Sequence, residues 1–389
     1  CVGAISIIFG CLAVSELASR TDKAGGVITY SDKFWNKKMA IVFGWFHMWI
    51  YYPTLTVIIA WISGIYLNIL FGWENTLERQ IINSVIVIAL LFCINMFSAK
   101  LGGIFQRVTV VVKMIPLILF GIVGLIFGNP GEAWTASQAA GTSGTWLQAI
   151  PAVLYAFDGW IIATSISHEI KDSKRNLYLA LIISPLIILA LYLMYFIGMS
   201  SYMGPNQIIA MGNEHLYAAA TKMMGTELGA KLVLILVIIS VLGVDNGMIL
   251  GFIRLPYSLA LRKMMPDSEK YAVIHPKHGV SLRSGLFAFA LSMIWVIAHY
   301  FTQKYIWLKG QHDISEIAMV VNYILFLTLY AAVIKLAIKG EIRSIWRGWV
   351  IPILAMIGAG IIILSGFQNE LFIWFLVFCA VVMGAAWMF

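Results

Sequence analysis

The stretch Leu154–Thr164 reads LYAFDGWIIAT. It lies inside an apolar run long enough to cross a bilayer, yet it holds a carboxylate at Asp158 and a poor helix former at Gly159. An Asp at the centre of a spanning helix costs about 2.5–3.5 kcal/mol on insertion scales, and a Gly costs about 1 kcal/mol against Ala. Irregular backbone at membrane depth survives only where it lines a cavity or is buried in protein. Two readings follow. In one, Asp158 pairs with a buried donor while Gly159 lets helices pack closely. In the other, the helix is discontinuous, and Tyr155, Phe157 and Trp160 close over a small ligand at the exposed half-helix ends. In the second reading Asp158, standing directly before GWIIAT, is expected to cap the half-helix that follows, or else to sit in the cavity and bias it toward zwitterions and against acidic substrates.

The composition agrees with a membrane setting. Of 389 residues 61% are hydrophobic and 11% charged, whereas soluble domains carry about 25% charged residues. A crossing needs about 20 apolar residues. Eleven such runs are legible, at 1–19, 39–71, 80–98, 104–128, 146–168, 176–200, 228–261, 281–302, 313–338, 347–366 and 370–389. The chain therefore reads as an all-α polytopic membrane protein with short, Gly/Pro/Asn-punctuated loops. The net charge of +8 is carried by those loops and does not point to nucleic acid. Arg20, Lys23, Lys33, Lys37, Lys38, Lys171, Lys174, Arg175, Arg262, Lys263, Lys339 and Arg343 fall in one set of connections. The alternate set holds only Arg79, Lys222, Lys231, Lys304 and Lys309. The rich side is expected to be cytoplasmic, which places the C-terminus inside and Cys1 outside. A further helix entering from the cytoplasm is then expected before Cys1, making twelve. Cys1, Cys11, Cys93 and Cys379 sit in apolar runs without paired spacing and read as small core residues. His47, His215, His275, His278, His299 and His312 show no ligand spacing, and no metal site or cofactor is expected.

Other polar residues inside the runs are candidates for function. Lys113 stands six residues past Arg107, about 9 Å deeper at 1.5 Å per residue. It either snorkels to the cytoplasm or needs acceptors, from unwound carbonyls or from Asp245. VLGVDNGMILG (241–251) carries Gly243, Gly247 and Gly251 at four-residue intervals, the pattern of a packing stripe. Asp245 and Asn246 beside it are polar extras that packing does not require. Glu16 stands four residues before Arg20, which favours an ion pair along the helix.

Several segments together resemble a known family. SELASRTDKAGGVITY (15–30) is similar to the AEL…PKSGGxYxY junction of amino acid/polyamine/organocation permeases. YAFDGW (155–160) followed by SHEIKDSKRNLYLAL (167–181) is similar to their FAYxGW…EEMxNPxRNLPxAI stretch, most like the L-type amino acid transporter branch. Asn246–Gly247, Arg254 and IHPKHGV (274–280) match in order and spacing. The resemblance spans the chain and implies a LeuT-like fold of two inverted five-helix repeats. Residues 1–128 would hold helices two to five, 146–338 the second repeat, and 347–389 two further helices. It also implies that carbonyls of Tyr155, Ala156 and Phe157 receive the substrate ammonium, with Asp158 and Gly159 in the same unwound segment and Tyr155 as a gate. Lys113 would stand where relatives hold a sodium ion, with Asp245 and Asn246 as further coupling candidates. The family's GxGIF segment is not in this sequence, Asp22 replaces the usual Pro, and Asp158 stands where the L-type branch often has Gly. The loop 72–79 has no Cys, so no disulfide-linked heavy chain is expected; amino acids and the bilayer are the expected partners. The resemblance implies a secondary transporter of small or medium neutral L-amino acids in a bacterial inner membrane, exchanging without sodium by alternating access. A proton-coupled symporter using Asp158, Asp245 or Glu16 is the alternative of the same type. A membrane-embedded enzyme, with His299 as its midsection candidate, and an amino acid sensor are alternatives of other classes.

Overall fold

Apolar runs punctuated by Gly, Pro and Asn can satisfy their backbone in a bilayer only as helices, and in the computed structural model they do. Residues 2–21, 25–139, 150–305, 313–368 and 372–388 are described. In chain order the α-helices are α1 (Val2–Ala18), α2 (Val27–Phe34), α3 (Lys37–Phe46), α4 (Tyr52–Phe71), α5 (Leu77–Phe97), α6 (Ala99–Phe127), α7 (Pro130–Ala139) and α8 (Ile150–Phe157). They continue with α9 (Ser173–Met203), α10 (Pro205–Met211), α11 (His215–Met224), α12 (Glu227–Leu261), α13 (Ser268–Tyr271), α14 (Leu282–Lys304), α15 (Ile314–Ile338), α16 (Ile351–Gly366) and α17 (Phe372–Trp387). Eight of the described helices are long and apolar enough to cross a membrane, and the shorter apolar helices Ile5–Ala18 and Phe372–Trp387 join them. The broken segment 150–169 completes the expected set of eleven.

Loop residues start the spans as their chemistry requires. Thr76, Ser98, Thr226 and Ser281 each accept an N–H in the first turn of α5, α6, α12 and α14. Asp313 does the same for α15, taking Ser315 N–H at 2.7 Å and Glu316 N–H at 3.3 Å. The enclosed centre is built from α15 and the α3–α4 rod, while α6 and α9 are the most outward-facing spans. Ile82, Ile86, Leu90 and Ile94 form an exposed stripe along α5 at four-residue spacing, as a lipid-facing surface would.

The α3–α4 rod contains a π-helical turn at His47–Tyr51, two residues before Pro53. Pro53 has no N–H to give the Trp49 carbonyl; the Trp295 indole on α14 donates to that carbonyl instead, at 2.8 Å. A second π turn, at Trp346–Val350, likewise ends two residues before a proline, Pro352. The α12 stripe packs as its spacing suggested. A Cβ at Gly243 would meet Thr109, at Gly247 Gln106, and at Gly251 both Tyr52 and Ile162. The helix runs unbroken through these glycines. At the end rich in basic residues, Glu16 lies 3.9 Å from Arg20 and 3.7 Å from Arg347. Lys33 donates to the Arg20 carbonyl there, and Arg262 donates to Thr29.

Candidate functional site

The α-helix that carries LYAFDGW stops at Phe157. Gly159 has φ +90°, a left-handed conformation that side-chain-bearing residues rarely adopt. The chain then resumes as a 3₁₀ helix over Trp160–Glu169, with Ile162 N–H bonded to the Gly159 carbonyl at 3.1 Å. Regular helical bonding is therefore interrupted where the sequence placed Asp and Gly together. Long 3₁₀ runs are uncommon and often mark strained or hinge segments.

Around the break is a cavity of about 380 Å³, within the range of small-molecule sites. It brings together Lys113 on α6, Phe157, Asp158 and Gly159 at the break, and Gly251 and Arg254 on α12. A second cavity of about 630 Å³ lies along the 3₁₀ helix and is lined by His47, Tyr52, Ile161, Thr164, Gly251, Arg254 and Arg262. Gly251 and Arg254 line both. The Gly251 waist admits no side chain without displacing Tyr52 or Ile162, since an added Cβ would fall 2.9 Å from the first and 3.1 Å from the second.

Asp158 does not act as the cap expected of it. Its Oδ2 accepts the Tyr51 hydroxyl at 2.5 Å, from the π turn of the α3–α4 rod. The Trp160 and Ile161 N–H groups make no bond to the carboxylate among the described residues. The donor is a buried phenol that tertiary packing brings from another helix. Ala156, expected to offer a free carbonyl, has that oxygen engaged by the Tyr192 hydroxyl of α9 at 2.7 Å. The Phe157 ring packs edge-on against Tyr192 at 5.2 Å between centroids. The Tyr155 side chain lies outside the described residues.

Lys113 lines the cavity without an ion-pair partner among the described residues. Asp245 is not beside it. That residue is fully buried on α12, lines neither cavity, and both carboxyl oxygens lack a hydrogen-bond partner. Asn246 is instead bonded throughout. It accepts from Asn95 at 2.8 Å and donates to Gln106 at 2.9 Å and to the Gly102 carbonyl at 3.2 Å, tying α12 to α5 and α6. Burying an unsatisfied polar group costs about 1–3 kcal/mol. Asp245→Leu, which replaces both unsatisfied oxygens by methyl groups in the same number of heavy atoms, is therefore expected to raise the unfolding midpoint by about 2–4 °C. A lower midpoint in a thermal-shift assay would show that the carboxylate has a native partner.

Tyr51, His47 and Asn322 are the site residues that sequence reasoning did not find. Their signal was present, in a proline directly after the aromatic run HMWIYY, but its target is 107 residues away.

The chain is similar to known transporters. The family described as amino acid permease matches residues 1–387. A serine/threonine exchanger of Bacillus subtilis, SteT, is 28% identical over 362 residues, covering 92% of this chain and 80% of the relative. A mouse b(0,+)-type amino acid transporter 1 is 25% identical over 224 residues, covering 54% of this chain and 46% of the relative. A methylthioribose transporter of Bacillus subtilis is 22% identical, covering 89% of this chain and 75% of the relative.

Proposed function

Since the chain belongs to the amino acid permease family and is an amino acid transporter rather than an enzyme, we propose that it exchanges small or medium neutral L-amino acids across the plasma membrane without sodium. The observation that carries this reading is the placement of Lys113 in the same cavity as the Asp158–Gly159 break. A fixed ammonium beside the substrate space supplies the positive charge that a bound sodium ion would otherwise bring. With no ion to couple, the carrier either returns empty or returns loaded, and the loaded return is exchange. The likeness to a serine/threonine exchanger over most of both chains supports the same substrate class.

In this reading the substrate ammonium faces the broken end of α8, where Tyr155 and Phe157 carbonyls are the acceptors; the Ala156 carbonyl keeps one lone pair beside Tyr192. Alternating access opens the two cavities in turn past the Gly251 waist. The larger cavity reaches the end of the molecule rich in Arg and Lys, here read as cytoplasmic, with the C-terminus on the same side. In this reading the chain adopts a LeuT-like fold, with residues 1–128 and 146–338 as its two inverted repeats and 347–389 outside them. A bacterial inner-membrane carrier without a disulfide-linked heavy chain agrees with loop 72–79, which has no Cys.

The test is uptake of labelled serine into proteoliposomes. Vesicles preloaded with serine are expected to take up about tenfold more than empty ones, with or without a sodium gradient. Equal uptake into empty vesicles refutes exchange, and accumulation driven by sodium refutes the role given to Lys113. In the same assay Tyr155→Ala is expected to slow turnover at least tenfold while serine still binds, because a gate completes the occluded site. Wild-type turnover would return Tyr155 to ordinary packing.

A further inference from the structure

The Asp158 carboxylate has two neighbourhoods. It lines the 380 Å³ cavity, and its Oδ2 is held from the other side by the Tyr51 hydroxyl at 2.5 Å. Tyr51 is itself held on the side away from the cavity. Its ring stacks on His47, with 4.7 Å between centroids and 22° between planes. His47 Nε2 lies 3.0 Å from Asn322 Oδ1 on α15. Tyr51, His47 and Asn322 are all buried, so none of the three is free to swing into solvent. The π turn matters here, because it sets His47 and Tyr51 face to face within five residues.

A carboxylate at the wall of a water-poor cavity is a ready counter-ion for any cation that enters. A carboxylate bonded by a phenol at one oxygen keeps its charge and its second oxygen, but its orientation is fixed, so it cannot turn to meet a cation that enters the cavity. Resting on the reading that this cavity holds the substrate, we propose that Tyr51 is a specificity-determining positioning residue. By holding Asp158 Oδ2 against the α3–α4 rod, it keeps the carboxylate from pairing with a cationic substrate side chain, and so biases the site toward amino acids with uncharged side chains. His47 and Asn322 act through Tyr51 by fixing its ring.

The Tyr51→Phe variant keeps the ring, and with it the stack on His47, and removes only the donor. Purified wild type and variant are reconstituted in serine-loaded proteoliposomes, and kcat and KM are measured for labelled serine and labelled lysine. The expected result is that the lysine-to-serine ratio of kcat/KM rises about tenfold in the variant. The change should reside in the KM for lysine rather than in its kcat. Adding Asp158→Asn to Tyr51→Phe is expected to abolish the lysine gain. Asn322→Ala, which loosens the same arrangement from its far end, is expected to shift the ratio about threefold in the same direction and serves if Tyr51→Phe does not fold. A ratio unchanged within twofold in the folded variants overturns the proposal, as does a lysine gain that survives loss of the carboxylate. A wild-type protein that exchanges no serine overturns the substrate reading and this proposal together; wild-type serine exchange with an unmoved ratio overturns this proposal alone.

Discussion

Gly198→Leu is expected to leave almost no folded protein. Along α6 and α9 the two helices meet backbone to backbone. A Cβ at Gly198 would fall 2.5 Å from the Gly121 carbonyl oxygen and 2.8 Å from both Gly121 Cα and the Phe120 carbonyl oxygen. From the other side, a Cβ at Gly124 would fall on the Gly198 backbone. Backbone cannot rotate out of the way as a side-chain tip can, so the helices must separate. Within a bilayer, helix association depends on close van der Waals packing because lipid tails are as apolar as leucine, and separation forfeits that packing along the whole contact. The cost belongs with the exceptional substitutions, above about 4–5 kcal/mol. Function would fall with the fold, since α6 carries Lys113 and α9 carries Tyr192. Size-exclusion chromatography of detergent extracts should show the monodisperse peak reduced more than tenfold. Gly103→Leu is the control, because among the described residues nothing stands within 4 Å of an added Cβ there. A Gly198→Leu protein that elutes and melts like wild type would show that the two helices have room to move apart.

The contrast between these glycines shows what a sequence can and cannot announce. The α12 stripe was legible because Gly243, Gly247 and Gly251 repeat at helical spacing, so one face had to be a close packing surface. The break in LYAFDGW was legible because Asp and Gly together are expensive in a span without a reason. Lys113 was legible as a charge at the wrong depth, although its neighbour in space is the break rather than Asp245. What each polar group bonds to was not legible. Asp158 stands where a cap belongs by every local rule, and the competing donor is contributed by another helix through tertiary packing alone. The Tyr192 hydroxyl on the Ala156 carbonyl is of the same kind. The π turn had a local cause in Pro53, but its consequence, a histidine stacked on the tyrosine that holds Asp158, depends on α3, α4 and the break being neighbours.

Gly159→Ala is expected to lower serine exchange by about 5- to 150-fold while leaving the protein folded. The reason is conformational, because space is not short. Among the described residues beyond its chain neighbours, the only heavy atom within 4 Å of an added Cβ is the Ile162 Cδ1 tip at 3.8 Å, an ordinary contact. The φ of +90° is what alanine resists, and holding a residue with a side chain in so sparsely populated a region costs about 1–3 kcal/mol. That cost is small against the stability of a multi-helix bundle, so yield should survive. It is large against a transport cycle, because the same 1–3 kcal/mol is a factor of about 5–150 in any equilibrium that depends on the break. The relaxed alternative for alanine is to continue α8 by another turn, which would draw the broken end and its carbonyls out of the cavity and pull Asp158 off Tyr51. Gly225→Ala separates the two effects. Gly225 ends α11 with φ +68° and open space around it, so alanine meets a similar strain there, away from both cavities. Equal losses of melting temperature in the two variants, with exchange lost only in Gly159→Ala, would tie the loss to the break itself. Wild-type exchange by a folded Gly159→Ala protein would mean that the left-handed turn at Gly159 is dispensable, and that the substrate is held by something other than the broken helix end.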